Sequence, residues 1–122
     1  MTTRITVRMD FDGNRRLGPG KIALLEAIQH RGSIAAAGRD FGMSYRRAWL
    51  LVDELNRMFS APLVETHGGG RHGGGAALTG LGGTIVALYR EAERKMSFSA
   101  MGEIERIEAS LALTRQELER IR

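Results

Sequence analysis

Three observations predict a mainly α domain with a small antiparallel sheet. Residues 19 to 59 offer three successive helix-length segments separated by glycines and capped by serines. Two short apolar stretches, LVET and AAL, then flank the glycine-rich segment HGGGRHGGG. The last third of the 122-residue chain repeats apolar residues at heptad spacing.

Residues 4 to 11, RITVRMDF, alternate Ile5, Val7, Met9 and Phe11 on one face with Arg4, Thr6, Arg8 and Asp10 on the other, which predicts a half-buried strand. The turn-like DGNRRLGPG follows. Pro19 then stands at the start of a helix running to about Arg31, where a missing N–H costs nothing, and Gly32 is its stop. Ser33 is a suitable N-cap for a short Ala-rich helix over 34–41, and Gly42 suits a left-handed C-terminal residue. Ser44 caps the third helix. There Ala48, Val52, Leu55 and Phe59 form the inward stripe, with Leu51 and Met58 flanking it, and Arg46, Arg47, Leu50, Asp53 and Arg57 look outward.

LVET and AAL predict two strands of a hairpin. Three helices followed by a hairpin make a winged helix-turn-helix, and the early strand is expected to supply the third strand of its sheet. From Thr79 a further helix carries Leu78, Leu81, Ile85, Leu88 and Ala92 at alternating steps of three and four, the pattern of a helix that packs on another helix. After the looser SFSAMG, a last helix keeps that register with Ile104, Ile107, Leu111, Leu118 and Ile121, Thr114 filling the gap. An exposed stripe of that length is a liability on a monomer, so C-terminal dimerisation helices and a homodimer are expected. The expected division is a DNA-binding unit over 1–96 and a helical extension over 97–122.

The formal net charge is +4 with a pI near 10.3, and its distribution says more than its size. Residues 1–60 hold ten Lys/Arg against six Asp/Glu, whereas residues 103–122 hold four against five. The basic half contains the third helix, which makes double-stranded DNA the expected partner. The chain has no cysteine, so a disulfide framework and thiolate metal sites are excluded. No apolar run approaches the ~18 residues of a membrane span, and no secretory signal stands at the start, so a cytoplasmic protein without membrane association is expected. No Ser-His-Asp set, paired carboxylates or nucleotide fingerprint is present, and an enzyme is not expected.

In a helix-turn-helix the first residues of the second helix enter the major groove. Here they are Ser44, Tyr45, Arg46 and Arg47, with Trp49 and Leu50 following. Either arginine could be bidentate to guanine while the other contacts phosphate. Tyr45 suits a sugar-phosphate strand or a thymine methyl, and Ser44 both caps and bonds phosphate. Ser33, at the start of the preceding helix, completes this set. Trp49 has two readings, a partly buried packing residue, which we prefer, or a shield for the DNA-facing surface. In the glycine segment, Gly68, Gly69, Gly70, Gly73, Gly74 and Gly75 would form a flexible wing that carries Arg71 into a minor groove or onto phosphate. A phosphate-binding P-loop lacks its Gly-Lys-Ser/Thr, and His67 with His72 lacks a third metal ligand, so no metal site is expected. His30, at a helix end, is a favourable charge for the helix dipole.

The segments GMSYRRAW, LVDELN, LVET, GGGRHGGGAALT and LYREAE together resemble the N-terminal DNA-binding domain of the ModE family of molybdate-responsive transcriptional regulators, and more distantly the LysR type. The resemblance covers most of residues 18 to 96. It implies a dimeric winged helix reading a palindromic operator, with groove-entering positions on Ser44, Tyr45, Arg46, Arg47 and Trp49 and a wing over 68–75. The family also implies molybdate-binding domains, whereas this sequence ends at Arg122 after a helix, so no cofactor is expected here and molybdate sensing would come from elsewhere. Two other functions compete: a protein-interaction module on the same scaffold, and a small molybdate-binding protein.

Overall fold

Pro19 opens the first helix, α1 (Pro19–Arg31), and Gly32 closes it at φ 72°, its N–H donating to the Ile28 carbonyl. The computed structural model describes residues 3–68 and 74–122. Ser33 accepts from the Ala36 N–H and starts α2 (Ile34–Asp40); Ser44 accepts from the Arg47 N–H and starts α3 (Tyr45–Met58). Each hydroxyl satisfies a donor that the first turn of a helix leaves without a partner. Between α2 and α3, Gly42 takes φ 68° and the Met43 N–H donates to the Gly38 carbonyl, so the turn needs a left-handed residue there. Gly38 is buried against Ala48, whose Cβ lies where any side chain at 38 would begin. The expected three-helix order is present with these caps.

β3 (Val64–His67) and β4 (Gly75–Leu78) form the expected antiparallel hairpin, with Val64 opposite Leu78 and His67 opposite Gly75. The expected third strand does not join it. β1 (Met9–Phe11) is shorter than the alternation over 4–11 predicts, and it pairs with β2 (Arg15–Leu17) in a separate two-stranded sheet. The reason is local. Gly13 at φ 76° and Asn14 at φ 60° turn the chain back within three residues, so the strand meets its own continuation first. Residues before β1 are held by side chains instead: Val7 is buried and its carbonyl accepts from the Tyr89 hydroxyl, whose pKa burial pushes up.

The core gathers Ile22, Leu24, Leu25 and Ile28 of α1, Ala37 of α2, and Ala48, Val52 and Leu55 of α3 over Leu63, Val64 and Ala76 of the hairpin. Met58 is buried and Phe59 lies at its margin, the reverse of their expected roles, because the helix ends at Met58 and Phe59 leaves it in extended backbone.

α4 (Gly80–Ser99) extends into the segment 97–102 expected to loosen, and the break there is Ala100 alone, which separates it from α5 (Met101–Ala109). Its heptad stripe is divided. Leu81 and Ile85 pack on the core together with Val86 and the buried Tyr89, while Leu88 is 61% exposed. The last helix is interrupted as well. Ser110 to Thr114 leave the helix, and Thr114 caps a separate α6 (Arg115–Arg120) through a reciprocal capping box with Glu117. Thr114 is therefore an N-cap and does not fill a heptad position.

An arginine fork ties α4 to α1. The Arg90 Nε and Nη2 donate to the two Glu26 oxygens at 3.1 and 2.7 Å, and Nη1 donates to Glu93 at 2.7 Å. Arg90 holds the Glu26 carboxyl below its ordinary 4.5. A lowered pKa in the folded state means that this contribution is fully present above pH 4.5 and is lost as pH falls through the lowered value. Both partners are about two-fifths exposed, so water screens the pair and its worth is about 1 kcal/mol. Arg90→Met should flatten the acid limb of the stability curve by that amount, as read by urea unfolding between pH 3 and 6, about the window where carboxyls titrate.

Candidate nucleic-acid interface

The start of α3 presents a ladder of exposed side chains. Tyr45 is 59%, Trp49 45% and Leu50 50% exposed, and Arg46 and Arg47 are exposed beside them. Tyr45 and Trp49 stand one turn apart on one side, while Arg46 and Leu50 make the next row. Trp49 lies outside the core cluster, 45% exposed, and its partly covered ring lines a groove beside Tyr45. A tryptophan one residue after the buried Ala48 is rotated about 100° off the inward stripe, which carries its ring past the edge of the core.

Two nearby carboxylates are engaged elsewhere. Asp40 pairs with Arg31 at 3.4 Å and Asp53 with Arg57 at 3.2 Å. Among the described residues, Arg46 and Arg47 have no carboxylate within salt-bridge distance, so their charge is directed at solvent. Ser44 is occupied in capping, and Ser33 likewise caps α2.

Between this ladder and the hairpin runs an open groove of about 430 Å³, walled by Tyr45 and Trp49 on one side and by Thr66, His67 and Gly75 on the other, with Ser33 at its end. Its hairpin wall is fixed at both strands. The Asn56 Oδ1 accepts from the N–H groups of Leu63 and Val64 at 2.9 and 3.0 Å, and its Nδ2 donates to the Val64 carbonyl at 3.2 Å, so α3 itself carries β3. On the other strand the Ala76 N–H donates to the Gly32 carbonyl at 2.8 Å, and the Leu78 N–H to Gln29 Oε1 at 3.0 Å. Gly75 passes close to Gly32, where a Cβ would lie 3.3 Å from the carbonyl oxygen, a tight contact that a glycine avoids. Gly68 and Gly74 stand where the two strands meet the loop, whereas Gly69, Gly70, Arg71 and Gly73 of the expected wing, and His72, lie outside the described residues.

Asn56 and Gln29 were not expected as positioning residues. Gln29 serves a strand 49 residues on, and Asn56 reaches across the turn after α3 to the chain seven and eight residues on, and no helical or strand period announces either. Asn56→Ala should cost about 2 kcal/mol, because it leaves two strand N–H groups without acceptors in a half-buried place. Urea unfolding gives the loss, and Asn56→Asp should recover part of it by keeping the acceptor.

Forty-three per cent of residues are identical between this chain and the molybdenum-pterin-binding protein MopA of Rhodobacter capsulatus over 93 positions, 76% of this chain and 35% of MopA. The molybdenum transport protein ModE of Azotobacter vinelandii is 44% identical over 93 residues, 75% of this chain and 34% of that protein. The chain carries a ModE-family domain. The DNA-binding transcriptional dual regulator ModE of Escherichia coli K12 adds 42% identity over 71 residues, 58% of this chain. No family model matches the chain. The matched stretch spans about a third of the length of the first two ModE-family relatives, so what those whole proteins do is carried over below as proposal only. Among the described residues, no helix is long and apolar enough to cross a membrane, and no group of three or more potential metal ligands occurs.

Proposed function

We propose that this chain is a cytoplasmic, sequence-specific DNA-binding transcriptional regulator that binds a palindromic operator as a homodimer. One observation carries the reading: two exposed arginines without carboxylate partners stand in the first turn of a capped helix, beside a hairpin rigidly fixed to that helix. In this reading α2 and α3 are the helix-turn-helix, the hairpin is the wing, and residues 1–96 are the reading unit. Tyr45 and Trp49 would line one sugar-phosphate strand while Arg46 or Arg47 reaches a guanine edge. Arg71 and the glycines of 68–75 would approach the neighbouring minor groove.

Dimerisation is supported by what the C-terminal half leaves in water. Leu88, Met96, Phe98, Ile107 and Ile121 are all at least half exposed, at up to 73%, a large apolar surface for a single chain. A second copy covering residues 97–122 and the outer side of α4 would bury it. Two-fold symmetry then sets half-site centres about 34–36 Å apart, or a multiple of that.

A labelled duplex titrated at rising salt tests this. Two chains should bind per duplex, with affinity falling about 10³- to 10⁵-fold between 50 and 200 mM if six to ten phosphates are engaged. Saturation at one chain per duplex would remove the homodimer, and a salt-independent signal would remove DNA binding. Repeating the titration with molybdate should change nothing if these residues alone do not sense it.

A further inference from the structure

The β1–β2 hairpin is a basic element that the groove-reading surface does not use. Between residues 8 and 16 it carries Arg8, Arg15 and Arg16 against Asp10 and Asp12. Cross-strand pairing puts Arg16 opposite Asp10, and Asp10 is shared: Arg8 Nη2 lies 3.0 Å from it and Arg16 Nε 3.6 Å. One carboxylate thus orients two exposed guanidiniums and neutralises only one. The Arg15 Nε donates to the Asp12 carbonyl at 2.7 Å, a neutral acceptor that fixes the side chain and leaves its charge.

The hairpin is fixed beside the reading helix. Lys21, in the first turns of α1 and with its side chain only 18% exposed, donates to the Arg16 carbonyl at 2.8 Å and to Glu54 of α3 at 3.0 Å. Glu54 follows Arg47 by seven residues, which places it on nearly the same side of α3 and about 10 Å further along the axis. A major groove is about 12 Å wide between its phosphate walls. The hairpin base, tied through Lys21 to Glu54, therefore lies about one groove width from Arg47, the scale on which the flanking phosphates are spaced.

We infer that the β1–β2 hairpin is a second DNA-backbone contact, in which Arg15 and Arg16, with Arg8 beside them, grip phosphates flanking the half-site read by α3. The inference rests on the DNA-binding reading above and adds a contact that carries no sequence information. Arg15→Ala with Arg16→Ala is the test, in the full chain, on the selected duplex and on a scrambled one. Both affinities should fall together, and the slope of log affinity against log salt should shrink by about 1.8, which makes the loss from 50 to 200 mM about tenfold smaller. Hydroxyl-radical protection should disappear at the outer edge of each half-site and persist at its centre. Arg15→Lys with Arg16→Lys should restore the slope, which separates lost charge from a disturbed hairpin. An unchanged slope and footprint in the alanine variant, with binding still abolished by Arg46→Ala and Arg47→Ala, would overturn the hairpin contact and leave the function standing. A wild-type chain that binds no duplex would overturn both.

Discussion

Arg46→Ala combined with Arg47→Ala should reduce binding to the selected duplex at least about a hundredfold, to the level of a scrambled sequence, with the melting temperature unchanged. Both side chains are exposed and make no structural ion pair among the described residues, so their removal takes nothing from the fold. Their removal takes both charges from the first turn of α3, where base edges and phosphates would meet it. The single variants should separate the two roles. The arginine at a guanine edge should relax specificity at one base pair by about 1–3 kcal/mol, while the arginine on phosphate should weaken all sequences alike and lower the salt slope by about one. Fluorescence anisotropy on matched and mismatched duplexes reads both. Equal losses on matched and scrambled DNA from both single variants would deny α3 its reading role.

Gly82→Ala should destabilise the chain by about 3 kcal/mol, a fall in melting temperature of about 10–15 °C. A Cβ at 82 would lie 2.1 Å from the Leu63 carbonyl oxygen and 3.0 Å from its carbon, and both are backbone atoms. They cannot retreat freely, because the same oxygen accepts from the Thr79 N–H at 2.9 Å and the Asn56 amide holds Leu63 from the other side. Thr79 tightens the junction further: its hydroxyl donates to the Pro62 carbonyl at 2.7 Å and accepts from the Gly82 N–H at 3.0 Å. The start of α4 therefore lies directly against the chain that enters β3. Gly83→Ala is the control, since a Cβ there meets nothing within 4 Å, and it should stabilise by about 0.5–1 kcal/mol by restricting the unfolded chain. Equal melting temperatures for the two variants would contradict the close approach at Gly82.

The parts of this architecture that are legible in sequence are those decided within a few residues. Ser33, Ser44, Gly32 and Gly42 mark helix ends because capping is a bond between near neighbours, and the structure uses all four. The period of α3 likewise foretells Ala48, Val52 and Leu55. In two places a local signal overrides a longer pattern. The Asp12-Gly13-Asn14 turn was visible beside the early strand, and it pairs that strand locally in place of the wing. Thr114 to Glu117 spells a capping box, and it divides what heptad spacing joined. Gln29 and the Glu26–Arg90 fork are not legible, because each joins elements whose proximity only the folded chain decides, and neither is Asn56, because the bend after α3 that brings it to Leu63 and Val64 has no periodic signal. The candidate interface divides in the same way: its arginines were evident, whereas the position of the hairpin wall depends on Asn56 and the Gly32 carbonyl.

Selection of bound fragments from a random duplex pool at about 150 mM salt tests the central claim most directly. The account predicts enrichment of an inverted repeat whose half-site centres lie about 34–36 Å, or a multiple of that, apart. A pool that shows no enriched sequence, or a single half-site without its mirror image, would contradict a dimeric, sequence-reading regulator.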